Sequence, residues 1–353
     1  MLHYLIRNIT IIISSLLFSL IIFKIYIKSS RKVNTIVDNP NNKSHSFHNE
    51  PVPTSGGVIL FFIVFIFSYI FFCLKNSLEC KVYLTWLIFL FCIIFGYLDD
   101  KKNIRARYKL LFQCFIGILV FILFKPKSVD IGLLQLSMAK TGLFYTIFYT
   151  ILVMNALNFI DGLDGILASF VFLYIFFGFI IYNPSQTLSF HLLVWGSSIL
   201  GFLFYNFHPA RIFLGNSGSN LLGAFIVVTS LRLGSSGENL YKVYPTLILL
   251  ALPITDLTGA FFRRVLKGKS PFYPDTEHLH HQMLKKFKDV KYVFLIFIII
   301  ESILGIIAYS TKDSSRLIKS LVYLFLFIIY IFTLFSLWFK KSTSECNRKD
   351  LSH

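Results

Sequence analysis

The chain alternates long apolar runs with short polar turns over nearly its whole length. Runs of roughly 17 to 22 apolar residues have the length of a helix that crosses the hydrocarbon core of a membrane. The pattern predicts eleven such spans. They lie near 8–28, 56–74, 82–98, 110–125, 142–158, 166–183, 188–206, 218–233, 243–258, 293–310 and 318–339.

Composition supports the same class of protein. Hydrophobic residues make up 56% of the 353 residues and charged residues only 14%, which is too little polar surface for a soluble globule. Because lipid offers the backbone no hydrogen bonds, each apolar run is expected to fold as a helix. The fold predicted is therefore an all-α integral membrane protein, a polytopic bundle of about 11 transmembrane helices. The first run precedes a basic stretch without a cleavage site and is interpreted as a retained helix.

The basic residues predict the orientation. With the N-terminus outside and the C-terminus in the cytoplasm, inner loops and the tail hold 22 of the 34 Lys and Arg residues. This distribution accounts for the net charge of +17 without a nucleic-acid partner. The acidic residues follow it, with 12 of 17 inside. We expect one transmembrane domain over 1–340, a polar tail over 341–353, and an active site in the inner loops. These loops are 29–55, 99–109, 159–165, 207–217 and 259–292.

Two adjacent carboxylates, Asp99 and Asp100, close the third predicted span. Because adjacent carboxylates repel each other, keeping both ionised calls for a cation nearby. A solvated helix end is the alternative explanation, but it accounts for the basic residues that follow and not for two acids against the membrane.

Four polar side chains recur every three residues at the inner end of the fifth span. They are Asn155, Asn158, Asp161 and Asp164, with Gly162 and Gly165 after the acids. This spacing keeps side chains near one helical face, and the glycines permit close approach of a phosphate or metal. A plain helix cap would need only one of them.

Two further loops suit anions. The stretch Gly215–Asn220 precedes an apolar helix, where free backbone N–H groups bind an anion or are simply capped. Arg263, His278, His280 and His281 suit a diphosphate pocket, with a polybasic lipid-surface patch as the alternative. Glu301, within the tenth span, is either functional or protonated and bonded between helices. Together these groups predict a phosphate site built around a hard cation such as Mg²⁺.

Five ordered motifs between His48 and Leu284 resemble a known family. They are HNEPVPTSGG, LDD followed by ARYKLL, NALNFIDGLDG, FLGNSGS, and PITD with RR and HLHH. The sequence resembles the polyprenyl-phosphate N-acetylhexosamine-1-phosphate transferases, in the WecA/TagO branch, which is related to the MraY enzymes. The resemblance implies eleven helices in a bacterial inner membrane, an active site facing the cytoplasm, and a homodimer as an open expectation.

The resemblance also implies a reaction and residue roles. A HexNAc-1-phosphate, GlcNAc as first choice, would pass from a UDP-N-acetylhexosamine to undecaprenyl phosphate in the membrane lipid, releasing UMP and starting a cell-envelope polysaccharide. Mg²⁺ or Mn²⁺ is expected as cofactor. Asp99 with Asp100 matches the catalytic acids, and Asp161 and Asp164 match metal and nucleotide ligands. Lys109 matches a substrate-phosphate contact, and the three histidines match the nucleotide-sugar motif.

One motif departs from the family. Asn216 stands where GDxGS normally supplies a carboxylate to the metal, and an amide oxygen contributes no charge. A catalytically weak or silent homologue is therefore one alternative. A phospho-muramoyl-pentapeptide transferase is another, and a cation-coupled transporter is the third, although transport would place acids near the midplane.

Overall fold

The computed structural model describes residues 2–30, 37–38, 51–75, 80–138, 140–236, 240–266, 268 and 278–331. Helices dominate these residues, as the apolar runs predict. Their bounds are α1 Leu2–Ser30, α2 Gly56–Lys75, α3 Cys80–Lys102, α4 Ala106–Phe124, α5 Gly142–Ile160, α6 Ile166–Tyr182, α7 Gln186–Asn206, α8 Gly215–Gly234, α9 Tyr244–Leu249, α10 Ala251–Leu266, α11 Leu279–Phe287, α12 Val290–Thr311 and α13 over 316–331.

Seven of the described helices are long and apolar enough to cross a membrane. Six lie within α1, α2, α3, α4, α5 and α7, and the seventh is α12. A shorter apolar helix, α6, accompanies them. The prediction of a helical, polytopic membrane protein is therefore confirmed. The number of eleven spans stays a prediction, and the whole polar tail and part of the last span lie outside the described residues.

Helix α8 is the centre of the bundle. It packs against α2, α3, α5 and α6, and nearly all its side chains from Ser217 to Leu233 are buried. Its first turn carries glycine, serine and asparagine rather than apolar residues. Because protein surrounds it, the helix can keep this polar turn without exposing it to lipid.

The predicted span 243–258 is two helices. Helix α9 ends at Leu249 and α10 begins at Ala251. Pro253 has no N–H to donate to the carbonyl of Leu249, and its ring would clash there in one continuous helix. The break separates α10 from α9. Helix α10 continues to Leu266, beyond the predicted end of the span.

Glycines bring the inner ends of α2 and α3 onto α8. A Cβ on Gly57 would lie 2.2 Å from Cα of Gly218, and a Cβ on Gly96 would lie 2.3 Å from Cα of Ser217. The backbone N–H of Gly57 also donates to the carbonyl of Leu214 at 3.0 Å. Only glycine permits such backbone contact, so these positions fix how closely the three helices meet.

The described residues include five short strands that the all-α expectation did not predict. Val37–Asp38 (β1) pairs antiparallel with Val52–Pro53 (β2). Ser128–Asp130 (β3) lies between Gln135–Ser137 (β4) and Leu240–Lys242 (β5). The three-stranded sheet follows the end of α4 remote from Asp99, so it lies at the opposite end of the bundle from the predicted site. Of the predicted site loops, residues 31–36, 39–50, 267 and 269–277 lie outside the described residues.

Candidate active site

An ion pair between a buried aspartate and a partly exposed lysine joins α3 to α4. Lys109 Nζ lies 2.6 Å from Asp99 Oδ2, and the Asp99 side chain is only 2% exposed. The second oxygen of Asp99 accepts a hydrogen bond from the backbone N–H of Ile104 at 2.8 Å. Both oxygens are therefore partnered, and Lys109, which is 36% exposed, faces both Asp99 and the surface.

Asp100 points to the N-terminus of α8. Its carboxylate accepts hydrogen bonds from the backbone N–H groups of Asn216 at 2.9 Å and Ser217 at 3.4 Å. These are first-turn donors that have no partner within their own helix. A carboxylate at that position also interacts favourably with the helix dipole. The anion-binding site predicted at Gly215–Asn220 is therefore occupied by the Asp100 carboxylate of the protein itself.

Asp161 follows the last residue of α5 and lies close to Asp100. Desolvation by the surrounding protein, followed by the negative charge of Asp100, raises the pKa of Asp161 well above its usual value. Two carboxylates that discourage each other's ionisation are the arrangement a divalent cation relieves. The Asp161 side chain is partly exposed, so such a cation has access to it.

Asn158 and Asn216 meet where α5 approaches α8. The Asn158 amide donates to Ser219 Oγ at 2.9 Å and lies 3.5 Å from Asn216 Oδ1. Asn155, one turn earlier, is held differently. Its amide exchanges hydrogen bonds with Gln113 of α4, at 2.7 and 3.3 Å. Asn155 therefore joins two helices, whereas Asn158 and Asn216 lie beside the acids.

Asp164 is engaged by the loop that follows α7. Its Oδ2 atom lies 2.7 Å from His208 Nδ1 and accepts from the backbone N–H of Ala210 at 3.1 Å. The next residue, Gly165, donates to Asn206 Oδ1 at 3.0 Å. These bonds hold the 159–165 and 207–217 loops together. Sequence reasoning missed His208, for which spacing gave no signal.

Asp256 is a second residue that was given no predicted role. It lies on α10, buried, and accepts from the backbone N–H of Leu279 at 2.9 Å. Its other oxygen is 3.2 Å from His278 Nδ1. Asp256 therefore caps α11 from a separate helix and orients the first histidine of the motif. The PITD motif was the only signal for it.

The three histidines occupy different environments. The His278 ring stacks on Phe159 with centroids 4.7 Å apart, and Arg264 lies over the same Phe159 ring. His281 is half-buried, 4.2 Å from the His280 ring. The predicted Arg263 lies on α10, half-buried, on the same cavity as Asp256.

His280 is 1% exposed, and among the residues that the structure describes neither of its ring nitrogens has a hydrogen-bond partner. A Cβ on Gly162 would lie 2.2 Å from its Nε2, so the ring fills the space beside the loop that carries Asp161. Burial, and then the charge of His281, lowers the pKa of His280 to about 3. The ring is therefore neutral near pH 7 and has one donor and one acceptor unused.

The residue chemistry suits Mg²⁺ at Asp100 and Asp161. Mg²⁺ takes oxygen ligands from one or two carboxylates and completes its shell with water and substrate phosphate. Within the described residues, no three His, Cys, Asp or Glu side chains are grouped closely enough to hold one ion. A metal here would thus depend on the two acids, with Asn216 Oδ1 beside them. Asp164, partnered by His208, stays a predicted ligand only.

Fold and site together define a class: a polytopic helical membrane protein whose carboxylates, amides and histidines meet at one end of the bundle. The model of glycosyl transferase family 4 matches residues 81–234. The "Probable undecaprenyl-phosphate N-acetylglucosaminyl 1-phosphate transferase" of Bacillus subtilis strain 168 is 30% identical over 98% of this chain and 94% of its own length. The chain belongs to this family, the glycosyl transferase family 4 enzymes that act on polyprenyl phosphates.

Two further relatives agree. The "Undecaprenyl-phosphate alpha-N-acetylglucosaminyl 1-phosphate transferase" of Escherichia coli K12 is 25% identical over 92% of this chain and 89% of its own length. The "Decaprenyl-phosphate N-acetylglucosaminephosphotransferase" of Mycobacterium tuberculosis is 32% identical over 62% of this chain and 60% of its own length. The family resemblance carried by the five motifs is confirmed.

Proposed function

We propose that the chain transfers N-acetylglucosamine-1-phosphate from UDP-N-acetylglucosamine to undecaprenyl phosphate. The products are undecaprenyl-diphosphate-N-acetylglucosamine and UMP, which would begin a cell-envelope polysaccharide. The observation that carries the proposal is the ion pair of the buried Asp99 with Lys109, next to Asp100 and Asp161. The relatives' names supply the sugar and the lipid.

Each side chain has a role in this reaction. Lys109 places a positive charge where a lipid phosphate enters, and Asp99 accepts a proton from that phosphate or orients it. Asp100 and Asp161 would hold Mg²⁺, which neutralises charge on the transferring diphosphate. His278, held by Asp256 and Phe159, and the neutral His280 would contact the nucleotide sugar, as the family motif implies.

The membrane setting belongs to the same proposal. Eleven helices with the N-terminus outside would place the 99–109, 159–165 and 207–217 loops in the cytoplasm of a bacterial inner membrane. UDP-sugars are charged and water-soluble, so their site must face water, whereas the acceptor arrives from lipid. Clustering of the polar groups at one end of the bundle suits both requirements.

The test is a transfer assay with purified full-length protein in detergent, UDP-[¹⁴C]GlcNAc, undecaprenyl phosphate and Mg²⁺. We expect radiolabel in an organic-extractable lipid together with UMP release, and neither in the Asp99→Asn variant. Absence of label with UDP-GlcNAc and with other UDP-N-acetylhexosamines would sink the proposal. Release of UMP only with a UDP-muramoyl-pentapeptide would instead favour the peptidoglycan branch.

Asn216 is the specific observation behind a second candidate, a catalytically silent homologue. Its amide lies beside Asp100 and next to Asn158, where the family pattern has a carboxylate. The Asn216→Asp variant distinguishes the candidates in the same assay. Activity of the natural chain favours the enzyme. Activity in the Asn216→Asp variant alone would show that the natural chain has lost its transferase function.

A further inference from the structure

A cavity of about 460 Å³ lies between α10, α11, α12 and α13, on apolar side chains such as Met283, Ile300 and Leu326. It extends along α10 from Ala251 to Arg263 and contacts the middle of α12 from Ile296 to Leu304. The stretch along α10 is roughly 18 Å of helical rise. The cavity is therefore a long apolar slot at membrane depth.

The inner end of the slot is cationic. Arg263 and Lys286 line it. Its one acidic lining residue, Asp256, already accepts from His278 and Leu279. Apolar slots that end in basic residues at the cytoplasmic surface are typical of sites for anionic lipid headgroups.

We propose that this slot binds an anionic phospholipid of the surrounding leaflet, with an acyl chain between α10 and α12 and its phosphate at Arg263 and Lys286. The site is distinct from that of the acceptor lipid. Asp99 and Lys109 belong to α3 and α4, which pack on α5 and α8, whereas α10 to α13 enclose the slot.

The bound lipid would support the catalytic histidines. Leu279, Met283 and Lys286 of α11 line the slot, and the same helix carries His280 and His281. Asp256 lines the slot and caps this helix. Because α11 has only nine residues, its position depends on such tertiary contacts more than on its own stability.

The test is native mass spectrometry of the full-length protein in detergent with dioleoylphosphatidylglycerol, compared with dioleoylphosphatidylcholine. We expect one phosphatidylglycerol bound in preference to phosphatidylcholine. Ile300→Trp fills the slot and should abolish this binding, whereas Ile299→Trp faces lipid and should not. Lys286→Glu should weaken binding about tenfold, and the neighbouring Lys285→Glu should leave it nearly unchanged.

Three outcomes would overturn the proposal. One is equal binding of both phospholipids, and another is an equal response of the slot variants and their controls. The third is one-for-one displacement of phosphatidylglycerol by undecaprenyl phosphate, which would make the slot the acceptor's own site. If Ile300→Trp fails to fold, the comparison of Lys286→Glu with Lys285→Glu tests the proposal. Binding is measured without turnover, so the result stands whether or not the transferase assay succeeds.

Discussion

Lys109 Nζ lies 2.6 Å from a carboxylate oxygen of Asp99, and this contact joins α3 to α4 at the site. Breaking a buried pair from one side leaves an uncompensated charge, whereas a pair exposed at the surface contributes little. The first prediction follows from the difference in exposure between the two partners.

We expect Asp99→Asn to lower turnover by about 100-fold or more, because the site loses a group that accepts a proton. Lys109→Ala should lower turnover strongly as well, with a higher KM for the lipid phosphate. UMP release measures both. Lys101→Ala, an exposed lysine at the end of the same α3, is the control and should keep near-normal activity. Normal turnover in Asp99→Asn would contradict the assigned role.

Mg²⁺ binding should strengthen as pH rises. A raised pKa means that Asp161 keeps a proton until higher pH, and a metal must displace this proton. Without metal, the ionisation of Asp161 costs stability as pH rises from the ordinary Asp range through its raised value, and Mg²⁺ offsets that loss. We expect the gain in Tm from Mg²⁺ to grow between about pH 5 and pH 8. A gain of the same size in Asp161→Asn would argue against this acid as a ligand.

His280→Leu should separate stability from function. Removing two buried, unpartnered nitrogens costs no hydrogen bond, so Tm should be unchanged or higher. Activity should fall by about 100-fold or more if those nitrogens meet substrate. A large fall in Tm would show that the ring is structural, and intact activity would remove it from the site.

Protonation of His280 should also affect how steeply the stability of the protein declines at acid pH. Its pKa is about 3 in the folded protein and ordinary when unfolded, so the unfolded chain binds more protons between these values. Its contribution is therefore present above about pH 6.5 and is lost as pH falls towards 3. Thermal unfolding against pH should show a shallower acid decline in His280→Leu. Curves that coincide in shape would contradict the neutral buried ring.

Gly57→Ala should destabilise the protein by about 1 to 3 kcal/mol, because its Cβ would overlap the backbone of Gly218. Gly196→Ala is the matched control, since the nearest heavy atom to its Cβ is Ile175 Cγ2 at 3.5 Å, an ordinary contact. Thermal unfolding in detergent compares them. An equal effect of the two substitutions would mean that α2 and α8 can separate without cost.

The sequence by itself determined the membrane class, most of the helices and the family. An apolar run of spanning length is stable in lipid as a helix, because a helix satisfies its own backbone hydrogen bonds. Five motifs in the same order are too specific to arise by chance. It also predicted Asp99, Asp161 and the histidines at one face of the membrane. These properties are local or depend on order along the chain, so no tertiary contact was needed to predict them.

Only the tertiary structure decided which polar groups meet. In the structure Asn155 is hydrogen-bonded to Gln113, and Asp164 to His208. Asp100 accepts from the first turn of α8. Asp256, buried on the helix that begins after the break at Leu250, orients His278. A hydrogen bond depends on distances of a few tenths of an ångström between residues tens of positions apart, and spacing along the chain does not carry that information.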